Sequence, residues 1–228
     1  MDPSNIKQEA NERRLKVLNK INQQDTGSSG SCLSSADIVT YLLSRIKKGS
    51  FKERDYLIVS KTSISEHFEK NEAISFQKEG LGLSVAVGLS LDLRNNKEKN
   101  WVYCLIEDSE LLNGTTLEAA LIAGREGLEN LVLLIDNNQF AGDNKQKVDP
   151  LHDKLRSFGF KTFVVLNGHN IPEIHEGFEK AHKSNAHPVA IIFKTIKGKG
   201  VRFIENKGSY YHSPISNEVL IEANKDLC

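Results

Sequence analysis

Five short apolar or β-branched runs, at 56–60, 101–106, 131–135, 162–166 and 189–193, constrain this chain more than any other feature. Each reads as a buried strand. Helical stretches at 81–93, 115–127, 150–158 and 172–184 separate or follow most of them. Strands that alternate with helices predict an α/β fold, a mainly parallel sheet with helices on both faces. Upstream, Ile6, Ala10, Val17, Leu18 and Ile21 give 5–22 a helical stripe. The polar run 25–31 breaks it. Ser34 is then placed to cap a second helix reaching about Arg45, with Asp37 in its first turn. No linker rich in Pro, Gly or Ser divides the chain, so 1–228 is expected to form one domain.

Thirty basic residues balance thirty acidic ones. That balance argues against a nucleic-acid or anionic-membrane binder. The longest apolar runs are too short to span a bilayer, and the polar opening segment does not read as a signal peptide. The three cysteines, Cys32, Cys104 and Cys228, have no metal-ligand or disulfide-framework spacing. They are expected in a loop, a buried strand and the chain end, in a reducing, cytoplasmic setting. His67, His175, His182 and His187 read as surface residues, and His169 as a structural hydrogen-bonding group in a turn.

Ligands of open parallel sheets bind beyond the carboxyl ends of the strands. The run 101–106 leads into Asp108, and the run 131–135 leads into Asn138, thirty residues later with one helix between. These ends can be neighbours, and a carboxylate with a carboxamide offers hard oxygen ligands for Mg²⁺ or Ca²⁺. Spacing alone leaves a second reading open, in which Asp108 caps the next helix and Asn138 makes a turn.

The segment 106–138 resembles the thiamine diphosphate motif of transketolases. That motif runs from Gly-Asp-Gly through a Glu-Ala-Ala helix to Asn-Asn. Asp108 matches the central acid, Glu118-Ala119-Ala120 the helix, and Asp136-Asn137-Asn138 the end. Other segments follow in the family's order: 11–14, 33–38, the glycine turn Gly80-Leu81-Gly82, Gly168-His169, 194–200 and the Pro214 region. The resemblance implies a thiamine-diphosphate-binding fold. Asp108, Asn138 and the Phe140 carbonyl would hold the metal, with Gly80, Leu81, Ser109 and Lys197 near the cofactor. Glycines are expected where backbone approaches a diphosphate, and Lys199 is left without a role.

The departures concern the substrate side. Glu107 and Ser109 replace the flanking glycines, and Asn113 replaces a glutamate that couples active sites in the family. Ser28, Ser63 and Tyr211 stand where the family carries histidines, and His212 is one residue away. The stretch between Lys61 and Gly80 holds eighteen residues, short for the family, which is expected to widen the entrance. The resemblance implies a transferase subunit that moves a two-carbon ketol or acyl unit. It needs a separate pyrimidine-binding, C-terminal transketolase-like subunit, in an α₂β₂ assembly. The donor is expected to be a ketose or 2-oxo acid, the latter favoured by the missing histidines, and the acceptor can be carrier-bound. The alternative is a catalytically silent, regulatory subunit.

Overall fold

The computed structural model describes residues 3–24, 29–50, 53–60, 62–69, 72–76, 78–141, 144–146, 148–210 and 215–227, with backbone alone at 24, 62, 63 and 210. The chain opens with α1 (Pro3–Gln24), α2 (Ser29–Arg45), β1 (Tyr56–Val59), α3 (Thr62–Ser65) and β2 (Ile74–Ser75). Next come α4 (Gly82–Asn95), β3 (Val102–Glu107), a 3₁₀ turn (Asp108–Leu112), α5 (Gly114–Arg125) and β4 (Leu131–Asn137). A small hairpin, β5 (Phe140–Ala141) and β6 (Asn144–Lys145), precedes α6 (Leu151–Ser157), β7 (Lys161–Val165) and α7 (Ile171–His182). The strand β8 (Val189–Lys194), a 3₁₀ turn (Gly208–Tyr210) and α8 (Asn217–Leu227) complete the order.

Six strands form one parallel sheet in the order β2-β1-β3-β4-β8-β7. Cys104, Ile106, Leu133 and Ile135 point to the face covered by Leu83 and Ala86 of α4 and Ala119 and Ala120 of α5. Tyr103, Leu105, Val132 and Leu134 point to the other, against Ile38 and Leu42 of α2 and Phe178 of α7. Burial on both faces is why these strands read as unbroken apolar runs rather than alternating ones. A fully buried Leu or Ile contributes about 1.5–3 kcal/mol, so such runs dominate local preferences. A third cluster docks α1 through Val17, Leu18 and Ile21 onto Val201, Ile204, Ala223 and Leu227. Helices α5 and α6 meet at Gly124, where a Cβ would stand 1.6 Å from the Phe158 carbonyl oxygen.

Several local expectations are corrected. Helix α2 begins at Ser29, so Ser34 lies inside it and is no cap. Its hydroxyl proton is shared between Ser31 O at 3.0 Å and Asp136 at 2.5 Å. Asp37 is likewise mid-helix and pairs with Arg14 and His169. Cys32 is a buried helix residue, not a loop residue, while Cys104 is buried in β3 as expected. Two of the histidines assigned to the surface lie at least partly inside the protein. His67 is buried and contacts Cys32 O at 2.7 Å. His182 is half-buried against the Tyr103 hydroxyl and the Trp101 ring, whereas His175 is exposed as expected and meets the Tyr41 hydroxyl. The short 61–80 connection carries α3 and β2. Beside it lies a cavity of about 700 Å³ against Tyr56, Leu57, Phe68 and Ile74. Among the described residues no helix is long and apolar enough to cross a membrane.

Candidate active site

Strand order reverses between β1 and β3, because β1 is followed outward by β2 while β3 leads to β4 on the other side. Open α/β sheets bind ligands at such a point, outside the carboxyl ends. Ser60 follows β1, Asp108 follows β3 and Asn138 follows β4. The register pairs Glu107 with Asp136, which brings Asp108 and Asn138 side by side. Asp108 Oδ2 accepts the Gln139 N–H at 3.0 Å, and its Oδ1 accepts the Ser109 N–H at 3.0 Å. Asn138 Oδ1 accepts the Phe140 N–H at 3.1 Å. Its amide group faces Asp136 at 3.3 Å and Ser34 at 3.4 Å. Asn138 thus makes the local turn contact and still lies beside Asp108, but Asp108 is no helix cap: Glu107 holds the N-cap position of the 3₁₀ turn and Asn113 that of α5.

Four acids are buried here: Glu107, Asp108, Glu110 and Asp136. Burial, together with the charges of Asp136 and Glu107, pushes the Asp108 carboxyl up to about 8, against hydrogen bonds from Gln139 and Ser109. Burial and Glu107 raise Asp136 to about 6, against hydrogen bonds from Ser34 and Thr195. Glu107 turns back on its own 3₁₀ turn in a capping box with Glu110. Two polar atoms in the same region, Ser31 Oγ and Asn137 Nδ2, are buried with no hydrogen-bond partner among the described residues. Such groups cost about 1–3 kcal/mol each when left unsatisfied.

The glycine turn is built by contacts within the chain. Gly80 N–H donates to Glu110 Oε2 at 3.0 Å, and Gly82 N–H donates to Ser60 Oγ at 3.1 Å. Both amides are therefore used within the chain. A Cβ on Gly82 would lie 2.5 Å from Ser60 Cβ, and Gly80 has φ +86. The glycines are required by this close approach of the turn to β1 and by the left-handed backbone. Leu81, between them, is 40% exposed.

Lys197 is fully buried on the far side of the site. Its Nζ lies 5.3 Å from the centroid of the Phe140 ring. Its stem packs on Gly30, where a Cβ would approach Lys197 Cε to 3.0 Å. Thr195 N–H donates to Asn137 O at 3.2 Å, and the Thr195 hydroxyl donates to Asp136. Lys199, in contrast, pairs with Glu205 at 3.2 Å.

The structure thus brings together Asp108, Ser109, Asn138, Phe140 and Lys197, with the Gly80–Gly82 turn joined to them through Glu110 and Ser60. Ser28, Tyr211, His212 and the Ser63 side chain lie outside the described residues. Sequence reasoning missed Glu110, Asp136, Ser34 and Thr195. Only Glu110 carried a local signal, the three-residue spacing from Glu107 that suits a capping box.

Comparison with known proteins agrees with this geometry. The family model described as "Transketolase, thiamine diphosphate binding domain" matches residues 79–227. The chain is 27% identical over a 264-residue alignment to the 6-deoxy-6-sulfo-D-fructose transketolase subunit SqwG of Clostridium sp. (strain MSTE9), covering 97% of this chain and 96% of that one. It is 29% identical over 269 aligned positions to an apulose-4-phosphate transketolase subunit of Actinobacillus succinogenes, covering 96% of each. Among solved structures, the transketolase of Campylobacter jejuni superposes with a TM-score of 0.86 at 22% identity, covering all of this chain and 43% of that chain. The transketolase of Leishmania mexicana gives 0.87 at 18% identity, over 97% of this chain and 41% of that one. The chain spans less than half of either solved transketolase, and at these identities the superpositions speak for the fold alone. Sheet order, strand-end site and sequence match converge: the chain belongs to the transketolase thiamine diphosphate-binding domain family.

Proposed function

We propose that this chain holds the diphosphate end of thiamine diphosphate through Mg²⁺ or Ca²⁺ and forms a two-carbon transferase with a separate pyrimidine-binding chain. The observation that carries this reading is the meeting of Asp108 and Asn138 at adjacent strand ends, tied by the Gln139 N–H. The residues fit a hard divalent cation. Asp108, Asn138 Oδ1 and the Phe140 carbonyl are oxygen donors, and a cation held by so few protein groups takes phosphate oxygens as well. The buried charges that raise Asp108 and Asp136 favour a cation over an empty site. Among the described residues no three His, Cys, Asp or Glu groups are placed together to hold a metal ion.

Gly80, Leu81 and Ser109 would border the diphosphate, and Lys197 would place its positive charge by the Phe140 ring. Thiamine diphosphate, when bound, supplies the electron sink for breaking a carbon–carbon bond next to a carbonyl. Asp136 orients the Asn138 amide, while Ser34 and Thr195 hold Asp136 in turn. Lys197 and Phe140 close one side against water. Ser28, Ser63, Tyr211 and His212 remain the proposed substrate-side groups.

A partner chain is supported by the relatives with near-complete coverage, both named as transketolase subunits. We take the assembly as α₂β₂. Both names carry a sugar with an anionic group, sulfo or phosphate. A ketose donor of that kind is therefore the reading adopted for this chain. The silent-subunit alternative rested partly on Glu107, whose side chain is turned back into the capping box. Steady-state kcat/KM of the assembled enzyme with phosphorylated ketoses and with 2-oxo acids tests the donor. Preference for the 2-oxo acid reverses the choice, and inactivity with both classes, despite cofactor binding, favours the silent subunit.

A further inference from the structure

Three elements converge on the backbone just before Lys197. His169, in the turn after β7, accepts the Ile196 N–H through Nε2 at 2.9 Å. Its Nδ1 lies 2.8 Å from Asp37 Oδ2 on α2. Because the Ile196 amide can only donate, Nε2 must be the bare nitrogen, so Nδ1 carries the proton and donates to Asp37. Burial alone would raise the Asp37 carboxyl, but the Arg14 charge and hydrogen bonds from His169 and Arg14 hold it below the ordinary value, so it stays an acceptor. Arg14 of α1 is itself fixed, donating to Leu33 O at 3.2 Å and to Asn11 at 3.1 Å as well as to Asp37. The chain of contacts runs Arg14, Asp37, His169, Ile196, and ends one residue from Lys197.

We propose that His169 is a positioning residue for Lys197, acting through a tautomer that Asp37 and Arg14 enforce. The other backbone ties of this segment are to backbone groups: Gly168 N–H to Lys194 O at 2.8 Å, Thr195 N–H to Asn137 O, Lys199 N–H to Ile196 O at 3.1 Å, Asn206 N–H to Lys197 O at 2.9 Å and Gly198 N–H to Gly30 O at 3.0 Å. The Ile196 amide is held by a side chain instead, so the N-terminal anchor of Lys197 is tied to a remote ion pair between α1 and α2, while its carbonyl is held by Asn206 N–H. An imidazole in the other tautomer would set N–H against N–H and release the segment. The role of Lys197 at the cofactor belongs to the function proposed above; its placement by His169 does not depend on that role.

The two functions of the ring can be separated by substitution. Asparagine reproduces the Nδ1 donor and cannot reach Ile196, whereas glutamine places an acceptor near the Nε2 position. The full chain is treated with an amine-acylating N-hydroxysuccinimide ester, and modification of Lys197 is followed by peptide mass spectrometry. Amide exchange of Ile196 and of β4 is measured in parallel. Lys197 is fully buried in the wild type and should react slowly. His169→Asn should accelerate its acylation and the Ile196 exchange about tenfold, the scale of one lost hydrogen bond. His169→Gln should stay within about twofold of wild type by the same measure, and β4 should remain protected in both. Equal rates in the two variants, the reverse order, or loss of β4 protection along with Ile196 overturns the proposal. Lys197→Met, measured for Mg²⁺-dependent thiamine diphosphate binding in the assembled enzyme, examines the cofactor role separately. Unchanged binding there would remove Lys197 from the cofactor site and leave its positioning by His169 intact.

Discussion

Glu110 accepts the Gly80 N–H at 3.0 Å, and so ties the glycine turn before α4 to the 3₁₀ turn after β3. Its other oxygen accepts the Glu107 N–H at 3.2 Å, and Ser60 donates to the same carboxylate. One buried side chain thereby sets the distance between Asp108 and the Gly80–Gly82 turn.

Glu110→Gln keeps the size of this group but replaces one acceptor oxygen with a donor. Either the Gly80 or the Glu107 amide loses its partner. The expected cost is about 1–3 kcal/mol of stability, read from the urea midpoint, with weaker cofactor binding in the assembled enzyme. A variant as stable as wild type that binds cofactor normally would show that the two turns are held by other contacts.

Gly124→Ala tests packing far from the site. The added Cβ would stand 1.6 Å from the Phe158 carbonyl oxygen and 2.7 Å from its carbon, both backbone atoms. Helices α5 and α6 must separate, at the upper end of the about 1–3 kcal/mol typical of overpacking or beyond it. Thermal unfolding measures this. An unchanged Tm would contradict the contact.

The pH dependence of stability carries a signature of His67. Burial lowers its pKa from 6.5 to about 3, assisted by the charge of Arg13 and opposed by the hydrogen bond to Cys32 O. The native state then binds fewer protons than the unfolded state between these values, so stability rises with pH through this window. The contribution is complete above pH 6.5 and is lost progressively as pH falls toward about 3. It amounts to about 2 kcal/mol between pH 7 and pH 5, at about 1.4 kcal/mol per unit. His67→Gln removes the titration and can still donate to Cys32 O. The difference in unfolding free energy between variant and wild type should therefore shift by that amount from pH 7 to pH 5. A pH-independent difference would mean that His67 titrates normally.

The strands were legible because β1, β3, β4 and β8 are buried along almost their entire length and apolar sequence follows burial directly. The start of α2 was not. Residues 27–31 are glycine and serine, a composition that ordinarily marks a loop, yet Ser29–Ser31 are helical and buried. Tertiary contacts make the difference, since Gly30 accommodates Lys197 and Ser34 reaches Asp136, while Ser35 satisfies its hydroxyl on a carbonyl one turn back. Helix α8 carries a readable stripe in Val219, Ala223 and Leu227, spaced by four, which docks it on α1. Asp108 and Asn138 were found by resemblance and by strand-end position. Asp136 falls in the matched motif, but its place at the end of β4 and its hold on Asn138 are not legible, because nothing local distinguishes a buried, hydrogen-bonded acid from a solvated one.

The most direct measurement of the central claim is titration of thiamine diphosphate into the assembled enzyme, by calorimetry, with and without Mg²⁺. Wild type should bind only with the metal, and the chain without its partner should bind weakly or not at all. Asp108→Ala should abolish binding while leaving the subunit folded. Its carboxyl group sits at a strand end, and its loss removes a buried acid along with two hydrogen bonds. Full binding by Asp108→Ala at limiting Mg²⁺, or tight metal-independent binding by the chain alone, would contradict the account.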